Sequence, residues 1–137
     1  MSTIAKDVAE SEFNRMCVAR RLDIDESDMD ADDAEKFAGI KKDVVKAMMR
    51  GELVVNESGD PVFTPPVAGS RPLTFHKPTG ATFMAMDSKD GKYKGHLTAT
   101  ASAITEMTRS TPGDISKLEA PDFQLCCALT NLFLSSR

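Results

Sequence analysis

The chain has 137 residues, 28% of them charged, with a net charge of −4, three cysteines and no tryptophan. That is enough chain to bury a core without a metal, and too few cysteines for a disulfide framework. No run of about 18 apolar residues is present to span a membrane and the first residues lack the basic-then-apolar order of a signal peptide, so a cytoplasmic, non-membrane protein is expected.

Residues 3–22 read as a helix, with Ile4, Val8, Ala19 and Leu22 in line and Phe13 and Cys17 off that stripe. Asp23 to Glu35 then holds eight acidic residues and no basic one, a run expected to solvate a loop. Outside it basic residues outnumber acidic ones but are scattered, which weighs against nucleic acid as a partner, since phosphate binding needs clustered cations. Asp30 or Asp32 is placed to cap a second helix running to about Arg50. Ala34, Phe37, Ala38, Val44, Val45, Met48 and Met49 would form its buried side, Lys41 would snorkel, and Gly51 would end it. Glu52 to Asn56 and Pro61 to Thr64 flank a turn containing Gly59, the form of a β-hairpin in which Pro61 is confined to an edge strand or a first position.

Residues 65–72, with Pro65, Pro66, Gly69 and Pro72, are the one linker-like stretch. Beyond it Leu73 to Phe75 suggests a short strand, and Pro78 to Ala81 a turn into a short helix carrying Phe83, Met84 and Met86. Asp87 to Lys92 reads as a loop, Leu97 to Arg109 as a helix, and Thr111-Pro112 as the start of a short turn through Leu118. The last helix, Ala120 to Leu134, is apolar around most of its circumference: Leu125, Cys126, Leu129, Leu132 and Phe133 share one face, widened by Phe123, Cys127 and Leu134. Such a helix is either central to a core or shared with another chain. The pattern as a whole predicts a mainly α (α+β) fold. An N-terminal helical arm with acidic loop and hairpin occupies 1–64, the linker 65–72, and a bundle of short helices 73–137.

Little chemistry competes with a binding role. Asp23-x-Asp25-x-Ser27 and Asp28-x-Asp30-x-Asp32 alternate oxygen ligands as a calcium loop does. The sixth position would nevertheless be Asp28 or Asp33 in place of Gly, and the twelfth Ala34 or Gly39 in place of Glu. Cys126 and Cys127, with His76 or His96, lack zinc spacing, and an apolar helix raises a thiol's pKa. Gly80 and Gly91 lie in no phosphate-binding pattern. No catalytic residue, metal or cofactor is therefore expected.

From Gly51 onward the order of features resembles the small tail assembly chaperones of long-tailed bacteriophages. The likeness lies in the hairpin Gly51-Glu-Leu-Val-Val, the extended Leu73-Thr-Phe-His-Lys-Pro-Thr-Gly80, and the close from Ile115 through Leu118, Pro121 and Asp122 into the apolar terminal helix. The resemblance covers residues 51–134 and leaves 1–50 unassigned. It implies a non-enzymatic protein, absent from the virion, that binds the tape measure protein in the infected cytoplasm and helps tail-tube subunits assemble around it. It also implies that a longer, frameshifted product can meet the tail tube protein. Leu125, Leu129, Leu132 and Phe133, with Phe83 and Met84, are the expected client contacts, the alternative being that each is core. Two other readings stand beside it: a structural virion component that self-associates into a homo-oligomer through the terminal helix, and a small regulatory binding module.

Overall fold

In a 14-residue helix, positions 9, 13, 16 and 17 fall on one face, and in α1 (Lys6–Ala19) it is Ala9, Phe13, Met16 and Cys17 that are buried. The computed structural model describes residues 3–22, 25–87 and 96–134. The stripe expected through Val8 is not the packed one: Val8 is exposed and Val18 is 71% exposed. The physical reason is the partner helix. Phe13 meets Phe37 of α2 (Ala31–Met49) edge-on, ring centroids 6.0 Å apart, and an aromatic pair outweighs the valines in buried area.

Asp30 caps α2, accepting a 2.8 Å hydrogen bond from the Asp33 N–H, so part of the acidic run is fixed as helix cap and first turn. Of the expected face, Phe37, Val44, Val45 and Met48 are buried; Ala38 is exposed, and Ala47 packs inside. Lys41 lays its stem over the core, its Nζ 5.9 Å from the Phe13 ring. At the far end Gly51 takes φ 79°, while the N–H groups of Gly51 and Glu52 return to the carbonyls of Met48 and Ala47.

The hairpin joins β1 (Leu53–Val55) to β2 (Pro61–Phe63), with Leu53 opposite Phe63 and Val55 opposite Pro61. Pro61 takes the first position of β2. β3 (Leu73–Thr74), which lies beyond residues 65–72, adds to the other side of β2 and makes a three-stranded antiparallel sheet that joins both halves of the chain. Gly59 in the turn has φ 84°, and a Cβ there would stand 2.4 Å from the Ala19 side chain, so only glycine lets the turn seat against the end of α1. Arg15 reaches from α1 to the outer side of β1, donating to the carbonyls of Val55 (2.8 Å) and Asn56 (3.0 Å) while Glu12 holds it.

The C-terminal half is helical: α3 (Gly80–Asp87), α4 (His96–Thr108), α5 (Pro112–Ser116) and α6 (Ala120–Leu134). Thr111 and Asp114 form a reciprocal capping box at α5, with Pro112 inside it. Among the described residues the fold is thus mainly α, with six α-helices around a small sheet, and one core cluster runs from Ala9 to Phe133. The loop expected over residues 87–92 falls almost entirely outside the described residues.

Arg20 ties this core together. Its side chain is 2% exposed and donates to Asp60 Oδ1 (3.0 Å), to the His76 carbonyl (3.2 Å) and to the Phe75 carbonyl. Its guanidinium lies 4.2 Å over the Phe133 ring, so one cation links α1, the hairpin, the exit of β3 and α6.

Candidate functional site

The expected client residues divide sharply by place. Leu129, Leu132 and Phe133 are buried between α6 and its neighbours α2 and α4, and Leu125 is half-buried. Elsewhere on the helix, Gln124 and Asn131 are exposed and Ala128 is half-buried. The terminal helix is therefore covered within one copy, because α2 and α4 supply the second face that composition left open. Phe83 and Met84, in contrast, are 54% and 73% exposed.

What leaves them bare is the way α3 is anchored. Thr82 is its single buried side chain; the hydroxyl accepts from the Thr79 N–H (3.0 Å) and donates to the Glu106 carboxylate on α4. Pinned there, α3 packs on α4 and turns Ala81, Phe83 and Met84 to solvent. Beside it runs a groove of about 850 Å³ lined by Ala85 of α3, Ala101, Ser102, Thr105 and Glu106 of α4, Ile115 of α5 and Phe123 of α6. The hydroxyls of Ser102 and Thr105 donate to the carbonyls of Thr98 (3.0 Å) and Ala101 (2.8 Å) of their own helix. Their protons are thus satisfied internally, which leaves these hydroxyls as acceptors only.

A second depression, about 770 Å³, lies between α1 and β1, lined by Ile4, Val8, Met48, Leu53 and Val54 with Asp7 and Glu12. Val54 is exposed there. Arg15 already occupies main-chain acceptors of the adjoining strand, which leaves this face less open to an added chain.

The remaining titratable groups are set by burial and by local hydrogen bonds. Burial pushes the thiols of Cys17 and Cys126 up to about 12 and raises that of Cys127, the opposite of an activated nucleophile. Asp122, at the start of α6, is buried; desolvation raises its carboxyl, and the neighbouring charges of Glu119 and Glu52 add to this against Arg50. Asp25 accepts from the backbone and hydroxyl of Ser27, which lowers its carboxyl. His76 is half-buried, with its backbone N–H on the Met107 carbonyl; the side chain of His96 lies outside the described residues. Among the described residues no group of three or more His, Cys, Asp and Glu is placed to hold a metal, and no helix is long and apolar enough to cross a membrane.

Phe83 and Met84 stand out in the sequence as candidates and are exposed in the structure, whereas the groove beside them is not legible in the sequence. Ala85, Ala101, Ile115 and Phe123 come from four helices, and no local spacing announces that they meet. Comparison with protein families, with curated proteins and with solved structures gives no match to this chain.

Proposed function

We propose that the protein is a tail assembly chaperone of a long-tailed bacteriophage: it acts in the host cytoplasm, covers apolar helical segments of the tape measure protein, and releases them as tail tube subunits close around it. One observation carries this reading, the solvent-facing Phe83 and Met84 on a helix flanked by a groove of about 850 Å³. Large apolar side chains left adjacent and bare suit a protein-binding site, and a groove between helices suits an amphipathic helix laid into it. The order of hairpin, extended strand and helical half supports the family resemblance, and the reduced cysteines suit a cytoplasmic setting.

The expected strength also fits a holdase. Fully burying a Phe or a Met is worth about 1.5–3 kcal/mol each, less for side chains already part-covered, while micromolar affinity needs about 8 kcal/mol. The exposed pair therefore anchors, and the groove supplies the rest, giving a grip that a polymerising tube can displace. No step in this role requires catalysis, a metal or a cofactor. The acidic run from Asp23 to Glu35 keeps the loaded complex soluble.

The test is co-expression with the tape measure protein from the same genome, followed by affinity capture. The wild type is expected to retain it and Phe83→Ser/Met84→Ser to lose it with an unchanged circular dichroism spectrum. Failure of the wild type to capture the tape measure protein would overturn the proposal, as would its presence at stoichiometric level in purified virions, which is the outcome a structural component requires.

A further inference from the structure

We draw no further inference here: the strongest candidate, the depression of about 770 Å³ between α1 and β1 at which Val8 and Val54 stand exposed, carries none because nothing in the structure shows what covers it.

Discussion

Helix α6 carries its apolar residues between α2 and α4, whereas α3, no less apolar along its eight residues, rests on α4 and buries Thr82 alone. Composition does not separate the two; reach and neighbours do. At 1.5 Å per residue α6 spans about 22 Å and can lie against both long helices, while α3 spans about 12 Å and is fixed by one threonine. A greasy helix therefore stays bare only where the rest of the chain fails to bring a second neighbour.

The hardest test of this contrast is to place a charge in α6. Leu129→Asp should abolish the cooperative urea transition followed by circular dichroism, and Leu129→Ala should cost about 2–5 kcal/mol. A folded Leu129→Asp protein that merely loses its client would reverse the assignment of the two helices. Arg20→Ala should cost about 3–5 kcal/mol in the same assay, since it strands Asp60 and uncovers the Phe133 ring.

Alkali acts on the buried region as well. Folding raises the Cys17 and Cys126 thiols from 9.0 to about 12, so above pH 9 the unfolded chain binds fewer protons than the folded one. Stability is fully present below pH 9 and falls as pH rises toward 12, by up to roughly 1.4 kcal/mol per pH unit for each thiol. Urea titrations at pH 8 and pH 10 measure this, and Cys126→Ala should flatten the slope. Next in size is the pin under α3: Thr82→Val should cost about 1–3 kcal/mol and raise hydrogen exchange in α3 ahead of α6. Smallest is the bare face itself, where Phe83→Ser/Met84→Ser should shift stability by no more than about 0.5 kcal/mol while removing client capture.

Element boundaries were the most legible part of the sequence because local chemistry sets them: Asp30 at the start of α2, Gly51 at its end, Gly59 in the hairpin, Thr111 and Pro112 at α5. The faces were less so. In α1 several stripes are nearly equal in apolarity, and the choice falls to Phe37 on another helix. The coverage of α6 and the groove of Ala85, Ala101, Ile115 and Phe123 depend on contacts far apart in sequence. Ser102 and Thr105 offer donors on paper but only acceptors in place, since their protons turn back into α4. Phe83 and Met84 were readable as candidates, but the distinction between them and Leu129 was not.

A short sheet has an outermost strand whose main chain can template the stacking of one molecule on the next. With Arg15 bridging the carbonyls of Val55 and Asn56, and Glu12 gripping Arg15 in turn, that ledge is already occupied on β1. An added strand would therefore have to displace Arg15 from the Val55 carbonyl before it could pair along that end of β1.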